Sequence, residues 1–204
     1  MKLICIYANY AAYNNNALRP LYNKDAPIVY AMADTALLTG GKPFFVPDCA
    51  APCTCGAQLA VRISRLGRFI SPRFARRYYD AFTVCATFTA ENLFARCVSE
   101  GLPWEVSKGF DGAACVGRPV LLEDRSADAI GFRLDIDGRE VQRGNTADLL
   151  RNVDTCIAYV SRFYTLRQGD LLFTGTPLPD VVVEPGCHVD GYANGQHLLS
   201  FNIR

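Results

Sequence analysis

A chain of 204 residues is the size of one ordinary domain, with room for a substantial core. Half of the residues are hydrophobic and a fifth are charged, which excludes a low-complexity or disordered chain. A formal net charge of +1 excludes an overall field that would gather nucleic acid or anionic lipid.

The first apolar stretch, Leu3-Ile4-Cys5-Ile6, is too short for the core of a secretory signal, and no run approaches the ~18 apolar residues of a membrane span. The expectation is a cytoplasmic protein without membrane or nucleic-acid partners. The nine cysteines are scattered, and an odd count without an export signal favours free thiols. Cys49, Cys53 and Cys55 form the one dense group, but they lack the Cys-x2-Cys spacing or nearby histidine of a zinc site. Basic residues gather in Arg62–Arg68 and Arg73–Arg77 with no accompanying nucleic-acid motif, which reads as a solvated edge.

In chain order, Leu3–Tyr7 reads as a short buried strand. The stretch 9–27, rich in Asn, Ala and Tyr, reads as a loop or lid. Leu59–Ile63 and Ala81–Cys85 read as strands. Ala90–Glu100 reads as a helix that Thr89 caps and Gly101 closes. Ile130–Ile136 alternates apolar and polar before Asp137-Gly138, a pair suited to the positive φ angles of a two-residue hairpin. Leu149, Leu150, Val153, Ile157 and Val160 recur at helical spacing, with Asn145 or Thr146 as the cap. A second hairpin is expected at Asn194-Gly195, between Val189–Tyr192 and His197–Phe201. Short strands, two hairpins and few helices predict an α+β, mostly-β architecture in a single domain over 1–204. Within it, 1–40 would form an N-terminal strand and lid, and 41–204 the core.

Common catalytic motifs are missing. There is no Gly-x-Ser-x-Gly elbow, phosphate loop or dinucleotide fingerprint. The only histidines, His188 and His197, lie in the terminal hairpin and read as strand-face residues. Cys85 and Cys115 would need a histidine partner to act as nucleophiles, and read instead as small core residues.

A run of ordered motifs then stands out in the second half: Gly101-Leu102-Pro103-Trp104, Lys108-Gly109-Phe110-Asp111, Asp137-Gly138-Arg139-Glu140-Val141-Gln142, Gly144-Asn145-Thr146, Tyr159-Val160-Ser161 and Gly169–Pro177. In this order and spacing they resemble the fumarylacetoacetate hydrolase family, and in particular its single-domain acylpyruvate hydrolase and oxaloacetate decarboxylase branch. The resemblance implies a rolled mixed β-sheet with flanking helices and a homodimer. It also implies Mg2+ or Mn2+ on three carboxylates, acting on small keto acids.

At the positions the resemblance assigns to those carboxylates this chain has Gly56, Gln58 and Thr87, and the residues that follow include Glu91 and Asn92. At the lid positions of the family's histidine–glutamate pair it has Tyr13 and Asn16, and a lysine position is Met32. None of these is an efficient general base near neutral pH. What the resemblance retains as ligand contacts is Lys108, Gln142 and the Thr174-Gly175-Thr176 loop. A glycine turn, a hydroxyl and an ammonium suit a small carboxylate or keto acid. The plainer alternative is that Gly175 shapes a turn, Lys108 lies on the surface and Gln142 finishes a hairpin.

The leading expectation is therefore a family member that keeps fold and part of the pocket but has lost the metal and metal-dependent hydrolysis. No cofactor is expected unless Glu91, Glu105 or Asp111 rebuild a site for Mg2+ or Mn2+. Two alternatives remain open: an active hydrolase, isomerase or decarboxylase of acylpyruvate-like substrates with a rebuilt centre in which Lys108 is the candidate catalytic residue, and a structural or interaction protein.

Overall fold

The computed structural model describes residues 1–11, 26–123 and 127–204. Among them, a curled nine-stranded sheet runs in the order β2 (Ile28–Met32), β1 (Leu3–Tyr7), β10 (Leu171–Phe173), β4 (Cys53–Ile63), β5 (Tyr79–Ala90), β6 (Ala114–Val116) and β3 (Leu37–Thr39). The short strands β11 (Val181–Val183) and β7 (Val120–Leu121) pair with β4 and β5. The pairs β1–β10 and β3–β6 are parallel and the others antiparallel, so the sheet is mixed. A second, antiparallel sheet has the order β13 (Gln196–Asn202), β12 (His188–Ala193), β8 (Gly131–Ile136), β9 (Arg139–Asn145). Three α-helices, α1 (Pro72–Ala75), α2 (Glu91–Glu100) and α3 (Val153–Val160), and four short 3-10 turns complete the described elements.

Both hairpins form where their turn residues predict. Asp137 and Gly138 have φ of 49° and 74°, and Asn194 and Gly195 have 47° and 77°. These paired positive angles carry the twist that a two-residue connection needs.

β4 and β5 extend well beyond the two strands read from sequence. Both are buried along nearly their whole length, so neither face alternates with water and their ends carry no pattern signal. Their register pairs Thr54 with Thr89, Gly56 with Thr87 and Gln58 with Cys85. Because side chains alternate along a strand, these residues share one face, while Cys55, Ala57 and Leu59 share the other with Val84, Ala86 and Phe88. That second face belongs to the main core, which also holds Leu134, Val189, Phe201, Ile157 and Val160. The rings of Phe44 and Phe88 stack there at 3.6 Å. Each fully buried side chain of this kind is worth ~1.5–3 kcal/mol, and a one-residue slip of β4 would carry the polar stripe into it.

Two helix starts differ from expectation. α2 begins at Glu91, so the N-cap falls on Ala90, which has no side-chain acceptor, and Thr89 lies one residue earlier with its hydroxyl bonded to Lys108 and Asp180. α3 begins at Val153, where the Asn152 side chain accepts the Thr155 N–H at 3.0 Å. Leu149 and Leu150 precede that helix. Asn9 pins this segment, accepting the Leu150 N–H on its backbone oxygen at 2.8 Å and the Arg151 N–H on Oδ1 at 3.1 Å. Asn145 instead caps a 3-10 turn over Thr146–Asp148 by accepting the Ala147 N–H at 2.9 Å. All nine cysteines are free thiols. No described helix is long and apolar enough to cross a membrane.

A candidate active site around Lys108

The stripe of Thr54, Gly56, Gln58, Thr87 and Thr89 is a polar seam inside a largely apolar sheet. Polar groups in such a place must find partners or cost free energy, so where their hydrogen bonds go defines the site.

Lys108 follows a 3-10 turn over Glu105–Ser107 and runs inward, 7% exposed. Its ammonium donates to Thr89 Oγ1 at 2.6 Å and lies 3.9 Å from Asp180 Oδ2. The rings of Phe94 and Tyr7 face it at 5.0 and 5.6 Å. Thr89 Oγ1 in turn donates to Asp180 Oδ2 at 3.2 Å. An ammonium has three N–H groups, and among the described residues this one has a single close acceptor, which leaves it capacity to bind.

Asp180 is the residue sequence reading missed. It enters from the loop between β10 and β11, and its side chain is 7% exposed. Its Oδ1 is buried without a hydrogen-bond partner among the described residues. Burial raises its pKa, and the negative charge of Glu91 raises it further, against the opposing pull of Lys108 and Thr89. Glu91 itself accepts a hydrogen bond from Thr54 Oγ1 at 2.8 Å. Gly56 gives Asp180 its place. A Cβ at 56 would collide with Asp180 Oδ1 and sit 3.0 Å from Thr176 Cγ2. The one signal in sequence was proximity: Asp180 comes three residues after the Thr174–Pro177 loop. Nothing in an isolated aspartate tells that it folds inward.

The remaining predicted positions are brought together, and most are occupied with one another. Gln58 Nε2 donates to Thr87 Oγ1 at 2.8 Å, and Gln58 Oε1 accepts the Gly175 N–H at 3.1 Å. Thr87 donates to the Gly56 carbonyl at 3.3 Å. Thr174 donates to the Leu59 carbonyl at 2.9 Å. Gly175 has φ of 103°, a conformation that L side chains rarely adopt, and a Cβ there would sit tightly at 3.1 Å from the Ile6 carbonyl and 3.2 Å from Asn9 Cβ. Gln142, 1% exposed, accepts the Ala57 N–H and donates to the Pro179 carbonyl at 2.7 Å. It is therefore a clamp between β4, β9 and the loop that carries Asp180. Thr176 is 8% exposed beside Gly56.

Of the three substitute carboxylates weighed from sequence, Glu91 approaches Asp180, while Glu105 and Asp111 are exposed. Met32 is buried, and Tyr13 and Asn16 lie outside the described residues. Cys85 and Cys115 are buried, with burial pushing both thiols well above their ordinary range, which suits core packing. His188 and His197 lie away in the hairpin sheet, where His197 Nε2 is 2.7 Å from Asp190 Oδ1.

The model of the fumarylacetoacetate (FAA) hydrolase C-terminal region matches residues 2–200. The chain belongs to the fumarylacetoacetate hydrolase family. Among curated relatives it resembles oxaloacetate tautomerase FAHD1 of Arabidopsis thaliana, at 29% identity over 99% of this chain and 90% of that protein. It also resembles oxaloacetate tautomerase YcgM of Escherichia coli, at 26% identity over 86% of this chain and 80% of that protein. Among solved structures, the fumarylpyruvate hydrolase of Pseudomonas aeruginosa in complex with Mn2+ and pyruvate superposes with a TM-score of 0.90. Identity there is 26%, covering 100% of this chain and 89% of that one. The rolled, mostly-β fold is thus the family's fold.

That Mn2+ can be tested against the residues present here. A hard divalent ion is held by oxygens, preferably anionic ones. Gln58 has already committed its amide oxygen to Gly175, and Thr87 accepts from Gln58. Gly56 supplies only backbone, and its side-chain space holds Asp180. Among the described residues no three His, Cys, Asp or Glu side chains converge. Asp180 faces an ammonium, which would repel a dication. This donor set does not fit a divalent ion.

Proposed function

We propose that this chain is an enzyme of small 2-oxo acids, working at the carbon beside the ketone, with Lys108 as the positive group that the reaction uses. The observation that supports this most directly is a buried ammonium with one close acceptor beside a buried carboxylate whose Oδ1 has no hydrogen-bond partner, both among the described residues. Tautomerisation, C–C hydrolysis and decarboxylation of such acids all build negative charge on the ketone oxygen. A cation in a water-poor site, preorganised by Thr89 and Asp180, stabilises that charge without reorganising. Asp180 is placed to hold the proton that leaves the neighbouring carbon. The relatives' names, oxaloacetate tautomerase and fumarylpyruvate hydrolase, fit the same substrate class.

The test is the conversion of enol-oxaloacetate to the keto form, followed by ultraviolet absorbance with chelator-stripped protein. Turnover that persists in chelator is expected, and Lys108→Ala should lower it by ~10²–10⁴-fold, the usual range for a group acting in the transition state. Activity that vanishes with chelator and returns only with Mn2+ would overturn the assignment to Lys108.

A second reading has its own support. Gln58 satisfies the Gly175 N–H that would otherwise meet an anion, so that donor is already occupied within the protein. A protein that binds a keto acid without converting it would show a saturable rise in melting temperature with oxalate or pyruvate, and no turnover.

A further inference from the structure

We propose that Lys108 acts covalently, forming an imine with the ketone carbon of a 2-oxo acid and so supplying through nitrogen the electron withdrawal that a metal would supply through oxygen. The inference rests on the reading of the site as one for 2-oxo acids and deepens it.

Three features carry it. Lys108 is buried among Tyr7, Phe94 and Thr89, and a desolvated lysine is the kind that forms imines with carbonyl substrates. A continuous path leads away from the amine: Nζ donates to Thr89 Oγ1 at 2.6 Å, and Thr89 Oγ1 donates to Asp180 Oδ2 at 3.2 Å. At the end of that path Asp180 presents a second oxygen without a partner among the described residues, in a setting where burial favours its protonated form. The fold has spent structure on this arrangement. Position 56 lacks a side chain so that the carboxylate fits, and Gln142 ties down the two carbonyls that precede Asp180, at 3.3 and 2.7 Å.

The step balances within the site. The ammonium passes one proton through Thr89 to Asp180, and the freed nitrogen pair adds to the ketone carbon. The carbonyl electron pair moves onto oxygen, which takes the proton back from Asp180. The resulting carbinolamine transfers a second nitrogen proton to that hydroxyl, which leaves as water. Ammonium plus ketone has become iminium plus water, with charge conserved. The iminium then accepts the electron pair of the adjacent C–H bond while the Asp180 carboxylate takes the proton. In a substrate with a carboxylate on that carbon, it accepts the pair of the C–C bond and CO2 departs. Reprotonation at carbon and attack by water restore the amine and release the product.

The experiment treats the native chain with pyruvate and sodium cyanoborohydride, which reduces an iminium to a stable secondary amine, and reads intact mass and a peptide map. The chain has only four lysines, at 2, 24, 42 and 108, so the adduct can be assigned without ambiguity. A single adduct on Lys108, absent in K108R, supports the proposal. K108R keeps the charge but cannot form the imine, and its melting curve shows whether it folds. Deuterium exchange at the pyruvate methyl, followed by NMR, should be present in the native chain and lost in K108R.

Oxaloacetate turnover by the native chain without any Lys108 adduct would overturn the imine while leaving the proposed function standing. An adduct without turnover would support the imine and remove the tautomerase reading. Labelling of Lys2 or Lys42 at the level of denatured protein, with Lys108 untouched, would overturn the imine. So would K108R with native turnover.

Discussion

The hairpin sheet and the β4–β5 seam are built on opposite principles. Within each hairpin of the second sheet the decisions are local: residues alternate between core and surface, and Asp137-Gly138 and Asn194-Gly195 turn the chain within two residues, so that only the β8–β12 pairing that joins the two hairpins is distant. In the seam nearly every decision is distant. Thr89 meets Asp180 across 91 positions of sequence, Gly175 meets Gln58 across 117 and Ala57 meets Gln142 across 85. Alternation fixes the hairpins whatever surrounds them, whereas the seam has meaning only when four separate segments arrive together. Damage to the first should therefore be modest and confined, and damage to the second larger and shared with function.

The sharpest test of that contrast is Gly56→Ala. A single methyl there collides with Asp180 and would push its carboxylate away from Lys108. Overpacking a filled site costs ~1–3 kcal/mol, and moving a buried carboxyl off its partners adds to that, so a loss at or above the top of that range in urea unfolding is expected, together with loss of turnover. The collision has a specific signature. Adding Asp180→Ala to Gly56→Ala should restore part of the stability, giving a coupling energy above ~1 kcal/mol in the double-mutant cycle. Additive losses would mean that Gly56 does not make room for Asp180.

Next in size is Gln142→Ala. It leaves the buried Ala57 N–H without its acceptor, at ~1–3 kcal/mol, and releases the loop that carries Asp180. A fall in kcat larger than the change in KM is expected, because the residue positions a group and does not touch substrate. Smaller again is Gly195→Ala. Its Cβ would meet nothing, so the cost is that of a positive φ alone, ~1–2 kcal/mol, and turnover should be unchanged. A loss of activity there would break the separation between the two regions.

The same contrast explains what was legible. The hairpins, β1 and the closure of α2 at Gly101 follow from turn chemistry and periodicity that act within a few residues. Gly56, Gln58 and Thr87 were located by resemblance, and the structure places them side by side across β4 and β5. Two things escaped for physical reasons. Thr89 has the chemistry of a helix cap, yet the helix starts one residue later than its pattern suggests, so Thr89 stays in β5 and its hydroxyl faces the seam, where it meets Lys108 and Asp180. Asp180 went unremarked, since an aspartate is rarely buried and nothing nearby in sequence announces a partner. The vacancy that admits it is recorded at Gly56, and only the folded register joins the two.

The smallest expected effect is one of pH. Burial and Glu91 hold the folded-state pKa of Asp180 above its unfolded value, despite Lys108. A carboxyl raised in this way binds its proton more tightly folded than unfolded. Its contribution to stability is therefore fully present below the unfolded value near ~3.9 and is lost as pH rises through the folded value, the reverse of a salt-bridged surface aspartate. Asp180→Asn removes this titration while keeping size and one hydrogen-bonding oxygen. The melting temperature of the variant relative to the native chain should accordingly improve from acid toward neutral pH. Because the unfolded forms differ only at that carboxyl, the difference curve isolates it from the other acids. A difference that moves the other way would mean that the attraction to Lys108 outweighs burial. The pair would then behave as a conventional ion pair, with Asp180 ionised throughout and unable to hold the proton that the lysine must release.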